Sequence, residues 1–246
     1  MTFEIIVVSA IIALGSFTQG LTGFGLALVS VPLLSLAIDV KAAVPVAGIF
    51  GWLVTFPIVW KMRAHVRWKP ALLLFLGSLP GSYLGADLLK RLPAEAILIT
   101  MGVVLVASSI YSFLSREALF KEVSKPITVG TGFFSGALGA SVGEPGPPVI
   151  AYTSMQPWTA DQAKSTLVFF FMLQMVGAIT GFWFQGLLTD VVIGHVVKAL
   201  PAFVIGMSLG MFGYHLLHTY KIDYHKIIHG LLLVIGLMLI VKNLPI

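Results

Sequence analysis

Cysteine is absent from the 246 residues. That excludes disulfides, thiolate metal sites and a cysteine nucleophile, and leaves the redox compartment unmarked. Charge is almost as scarce, with Asp, Glu, Lys and Arg making up 10% of the chain, against roughly 25% in an ordinary soluble domain. A 58% hydrophobic share and a mean hydropathy of +0.99 complete the contrast, and a soluble class is excluded. No HExxH, GxSxG or paired aspartates stand in apolar sequence, so the equipment of an intramembrane enzyme is missing and no catalytic residue, cofactor or resident metal is expected. The opening residues lack a basic stretch and carry Glu4, so the first apolar run is expected to be retained and not cleaved.

What remains is apolar sequence in runs, at about residues 3–19, 24–38, 42–60, 70–89, 96–114, 127–142, 147–155, 164–188, 191–217 and 227–244. A crossing helix needs about 20 apolar residues, so the chain can supply roughly eight to ten crossings. The fold class is therefore all-α, a polytopic transmembrane bundle forming one transmembrane domain. Its net charge of +5 comes from bases in short loops, where they set orientation against the membrane; nucleic-acid partners are excluded.

The chain repeats itself. Phe17, Gly20, Gly23 and Pro32 recur at the same spacing as Phe133, Gly136, Gly139 and Pro148. Leu79-Pro80 and Gly85 match Leu200-Pro201 and Gly206, then Leu88-Leu89 and Gly102 match Leu216-Leu217 and Gly230, in the same order. This predicts two repeats, about 3–115 and 126–246, joined by a charged linker 115–126 that contains Arg116, Lys121 and Lys125. Lys61, Arg63, Arg67 and Lys69 crowd one loop, whereas its counterpart around Thr189 and Asp190 has no base, as expected if the repeats are inverted and the basic loops cytoplasmic. Both termini are then extracytoplasmic; Lys90 and Arg91 run against the rule.

The first two runs of each repeat are short and rich in glycine and proline. Residues 15–25, GSFTQGLTGFG, lead to Pro32, and residues 131–148 contain Ser135, Gly136, Gly139, Ser141 and the sequence Gly143-Glu144-Pro145-Gly146-Pro147-Pro148. Such sequence weakens a continuous helix, and broken backbone at membrane depth is tolerated only where it lines a cavity or is packed in protein. The start of a half-helix offers free N–H groups and a positive dipole end, suited to an anion. Thr18, Gln19, Gly20, Thr22, Gly23 and Gly25 in the first repeat, and Ser135, Gly136, Gly139, Ser141, Gly143, Glu144 and Gly146 in the second, are the candidate substrate-binding set. Pro32, Pro145, Pro147 and Pro148 are the candidate helix breaks, and the two broken segments are expected to meet at a midplane site. Close helix packing is the competing reason for glycine at these positions.

Gly20-Leu-Thr-Gly-Phe-Gly25 leading to Val31-Pro32-Leu33-Leu34, with Gly136 to Val149 in the second repeat, resembles the sulfite and organosulfonate exporter family TauE/SafE. The resemblance spans essentially the whole chain. It implies a bacterial inner-membrane carrier for sulfite, sulfonates or related sulfur-containing anions, usually an exporter, with a small anion and the lipid bilayer as partners and further copies of the chain as an open option. Members often carry a plain Gly-Gly-Pro-Pro where this chain inserts Glu144. An ionised Glu144 would repel an anion, so it is expected either to take up a proton when substrate binds or to pair with Lys164 or Lys198; capping a helix at an aqueous boundary is its bland role.

His195 and Lys198 are expected to snorkel to the interface. His215, His218, His225 and His229 have helical spacing but are split by a loop and lack an acidic partner, so no metal site is expected there. A membrane accessory subunit that transports nothing, and a carrier or channel for another small anion, are the alternative functions.

Overall fold

The computed structural model describes residues 2–22, 25–114, 123–220 and 224–244. Regular structure among them is helical: α1 (Thr2–Thr22), α2 (Leu26–Leu34), α3 (Val40–Met62), α4 (Trp68–Arg91), α5 (Ala94–Leu114), α6 (Lys125–Val142), α7 (Gly146–Ser154), α8 (Ala160–Phe184), α9 (Asp190–Tyr220) and α10 (Tyr224–Asn243), with a 3-10 turn at Arg63–His65. The ten helices lie on the ten apolar runs. Short polar signals set two of their starts. Asp39 accepts the Lys41 N–H at 2.8 Å where α3 begins, and Thr159 and Gln162 form a reciprocal capping box at α8.

Helices long and apolar enough to cross a membrane are fewer than the eight to ten that chain length allows. Six of them qualify among the described residues: 3–21, 40–65, 68–91, 94–111, 160–184 and 190–213. This is a multi-pass membrane protein. The shortfall includes α2 and α7, which have nine residues each and reach about 14 Å, under half the hydrocarbon thickness.

Both short helices fold back along the long helix before them. Gln19 meets Leu26 and Gly15 meets Ser30, so α2 runs antiparallel to α1. Ser135 meets Pro145 and Thr128 meets Tyr152, so α7 runs antiparallel to α6. The glycine-rich breaks are therefore hairpin turns and not interruptions of one continuous span. The prolines do not all break helices. Pro32 lies inside α2, which continues to Leu34, whereas Pro147 and Pro148 occupy the first turn of α7, where a missing N–H breaks no intrahelical bond. Pro32 and Pro148 thus share spacing in sequence but not position in their helices.

The chain forms two compact units, Met1–Phe50 with Leu92–Leu114 and Leu187–Ile246, and Gly51–Arg91 with Ser115–Gly186. Neither coincides with a sequence half. In the first unit α1 packs on α9 and α5 on α10; in the second α4 packs on α6 and α8. Glycine makes the closest of these contacts. A Cβ on Gly77, Gly81 or Gly85 of α4 would overlap the carbonyl oxygens of Val129, Phe133 and Ala137, and one on Gly206 or Gly210 of α9 would overlap those of Ala13 and Phe17.

Gly81→Ala and Gly210→Ala should each lower stability by about 1–3 kcal/mol, as overpacking does. Gly130→Ala, whose Cβ would meet nothing within 4 Å, should not. Thermal melting in detergent, followed by size-exclusion chromatography, measures this; equal melting of all three variants would contradict the close helix contacts.

Candidate functional site

In the second unit the site grows from the α6–α7 turn. Gly143 ends α6 with φ 78°, a left-handed conformation that glycine adopts without penalty, and its N–H returns to the Leu138 carbonyl. The chain then doubles back so that Ser135 Oγ donates to the Pro145 carbonyl. Gly139 leaves room for Gln174 of α8, since a Cβ there would come within 2.8 Å of Nε2 and 2.9 Å of Pro145 Cβ. That same Nε2 donates to Ser82 Oγ of α4 at 3.3 Å. Ser135, Gly139 and Pro145 are thus brought together with Gln174 and Ser82, two residues that sequence spacing did not single out. A lone glutamine in an otherwise apolar run of α8 was the available signal.

Glu144 lies in this turn with 1% exposure, and its Oε1 has no hydrogen-bond partner among the described residues. The expected ion pair with Lys164 is not formed; Lys164 is exposed near the start of α8. Burial also sets aside the picture of a carboxylate capping a helix at an aqueous boundary. Ser141 Oγ donates to the Ala137 carbonyl at 2.7 Å within its own helix. Gly146 opens α7 with only Ile150 within reach of a Cβ, at 3.4 Å.

The first unit holds the α1–α2 turn. Gly25 precedes α2 at φ 105°, and Gln19 Oε1 accepts the Leu26 N–H at 2.8 Å. Thr18 Oγ1 donates to the Leu14 carbonyl at 2.9 Å. Gly23 and the Thr22 side chain fall outside the described residues. Ser30, on α2, is fully buried, its Oγ has no partner among the described residues, and Gly15 faces it because a Cβ would overlap that oxygen.

Two candidate glycines have a packing role. Gly20 faces the α9 backbone, with Gly210 Cα 2.8 Å from a would-be Cβ, and Gly136 faces Ser78 of α4. The helix starts are also poorer in donors than a generic N-terminus. Pro147 and Pro148 have no N–H, which leaves Gly146 as the one free donor in the first turn of α7. At α2 the Leu26 N–H is already taken by Gln19, leaving Ala27 and Leu28. The α2 start can therefore offer about two backbone donors to an anion and the α7 start about one.

His195 departs from its expected role. It is 6% exposed, with Nε2 3.1 Å from Glu4 Oε1 of α1, so it is buried against a carboxylate rather than reaching outward. Lys198 is exposed on α9. The side chains of His215, His218, His225 and His229 lie outside the described set.

Residues 8–239 match the profile of the family described as sulfite exporter TauE/SafE. The chain belongs to that family. It is 25% identical over 210 residues to a protein of Cupriavidus necator named probable sulfite/organosulfonate exporter TauE, covering 82% of this chain and 80% of that relative. No solved structure matches. The TauE/SafE match takes in both hairpins, all candidate glycines and Glu144, and TauE/SafE is a transporter family.

Gln19→Leu removes the acceptor of the Leu26 N–H and should cost about 1–3 kcal/mol of stability, the cost of a buried donor left unpaired. Gln19→Glu keeps an acceptor and should melt closer to the parent. Equal losses in the two variants would show that the contact carries no such energy.

Proposed function

We propose that this protein is a secondary carrier that exports a small sulfur-containing anion, such as sulfite, a sulfonate or a sulfoacetate-like compound, across the bacterial inner membrane by alternating access. The observation that carries this reading is the TauE/SafE match over residues 8–239; the similarity to a protein named as a sulfite/organosulfonate exporter supports the substrate class. Two inverted repeats supply the two hairpins, and the basic loop from Lys61 to Lys69 faces the cytoplasm with both termini outside. Within the second unit the Gly146 N–H at the start of α7 and the second N–H of the Gln174 carboxamide are the donors that meet the oxyanion. A cytoplasm-negative potential favours outward movement of one bare negative charge by about 2.3 kcal/mol per 100 mV; a proton carried with the anion cancels that gain and leaves the anion's own outward gradient as the driving force.

Glu144 adds a proton to the cycle. A buried carboxylate whose Oε1 has no partner among the described residues cannot share its surroundings with an anion while ionised, so substrate binds to the protonated form and a proton is taken up with it. Counterflow in proteoliposomes containing only this protein tests both parts. Labelled sulfite and a sulfonate of constant charge, such as methanesulfonate, should exchange saturably; absence of exchange by folded, inserted protein overturns the carrier. Methanesulfonate exchange should fall as pH rises in the parent and stay at its low-pH level in Glu144→Gln. A variant that retained the parent's pH profile would remove Glu144 from the mechanism.

A further inference from the structure

A cavity of about 700 Å³ lies where α4 and α6 begin, within the second unit, and Glu144 does not line it. Its wall includes Arg67, Lys69 and Lys125, the aromatics Trp68, Tyr152 and Trp158, and the carboxamide of Gln156; no acidic residue lines it among those described. The volume falls within the range of small-molecule sites, with room for an organic body as well as an anionic group.

The electrostatics of its wall are unbalanced. Helix N-termini carry partial positive charge and are ordinarily accompanied by Asp or Glu. Neither α4 nor α6 has an acid in its first turn, and the Ser124 side chain makes no capping bond at α6. Lys69 stands in the first turn of α4 instead, and Lys125 is the first residue of α6. Two cations thus sit on two positive helix ends that open on one cavity, an arrangement that an anion relieves.

A second observation points the same way. Gln156 is 7% exposed, yet its Nε2 has no hydrogen-bond partner among the described residues. Loop lysines alone are explained by orientation in a membrane; a buried carboxamide donor without an acceptor is not. An oxyanion oxygen in the cavity would supply that acceptor. Arg67 Nη2 donates to Gln162 Oε1 at 3.1 Å, which leaves other guanidinium donors available. The aromatic wall is braced, with Trp158 edge-on to Tyr152 at 6.0 Å and Trp68 edge-on to Phe169 at 4.7 Å. Tyr152 Oη lies 3.2 Å from Thr128 Oγ1, whose single O–H also reaches the Ser124 carbonyl at 3.1 Å.

We propose that this cavity binds an organic oxyanion, its charged group held by Lys69, Lys125, Arg67 and Gln156 and its apolar body lying on Trp158 and Trp68. The site is independent of the carrier reading, since binding can be measured without flux. The same chemistry is offered by a soluble sulfonate, carboxylate or phosphate ester and by the headgroup of an anionic lipid, and lipid composition separates these sources.

The test is ¹⁹F NMR of 4-fluorobenzenesulfonate with the full chain in phosphatidylcholine nanodiscs. The parent should broaden the resonance saturably, and the neutral 4-fluorobenzenesulfonamide should stay sharp. Lys69→Gln combined with Lys125→Gln should weaken binding by about tenfold or more, the equivalent of one charge-assisted contact. Both lysines are exposed, so this variant keeps its fold; Gln156→Leu should weaken binding by about threefold or more. Lys61→Gln, an exposed base of the same loop that does not line the cavity, should bind as the parent does. Loss of probe binding when phosphatidylglycerol is included assigns the site to a lipid headgroup, and retention assigns it to a soluble anion. No saturable binding by folded parent, or equal effects of Lys61→Gln and the double variant, overturns the proposal.

Discussion

In each unit a long helix lies with its backbone directly against another, α4 on α6 through Gly77, Gly81 and Gly85, and α9 on α1 through Gly206 and Gly210. Lipid tails are as apolar as leucine, so burial of hydrocarbon does not drive helices together in a bilayer; close van der Waals approach does. Removing the Cβ at these positions is what permits that approach. Reciprocal glycines at Gly132 and Gly136, facing Leu74 and Ser78, complete the α4–α6 seam from the other side. The seams hold α1 and α6 in place, and each of these helices is the long arm of a hairpin.

The short arms depend on that support. A nine-residue helix is marginal by itself, and α2 and α7 survive because each is pinned along a long partner: α2 by the Gln19 carboxamide and the Gly15–Ser30 contact, α7 by Ser135 and by the Thr128–Tyr152 hydrogen bond. Polar groups that are costly in an apolar interior are thereby concentrated at the turns. Glu144, Gln174, Ser82 and Ser135 lie within the second unit, and Gln19 and Ser30 within the first. The same glycines that look like a substrate cradle serve, at Gly20 and Gly136, to seat a neighbouring helix. Close packing thus accounts for part of the glycine-rich stretch, and the proposed anion site is left to the turn residues beside it.

Charge is distributed by a different rule. Among the described residues it is nearly excluded from the interior of the units; Glu144 is buried with no partner for its Oε1, and buried His195 meets the half-exposed Glu4. Bases gather where helices begin, at Lys69 and Lys125, against the local dipole. A membrane explains why they are on a loop side, and both line the cavity proposed to take an oxyanion. Within the second unit the start of α7 at Gly146 and the bases around Gln156 thus lie at opposite ends of that short helix, one end neutral, the other cationic.

Helix type and most boundaries were legible in the sequence, because a bilayer imposes a run length; the prolines at 147 and 148, read there as helix breaks, stand at the start of α7. Family membership was legible too, through the glycine-rich segments. Spacing misled where it was taken for position: Pro32 and Pro148 recur at equal intervals but fall in different turns of their helices. Which helix each glycine faces could not be read, since a glycine marks close approach without naming the partner, and here α1 and α6 take partners from the other half of the chain. The Gln174–Ser82 contact spans 92 residues and the cavity gathers side chains from residues 66 to 158. Local sequence determined the helices because hydrogen bonding within a helix and transfer into lipid act over a few turns. Only the tertiary structure decided the contacts, because backbone approach and buried polar pairing join residues that the chain itself keeps far apart.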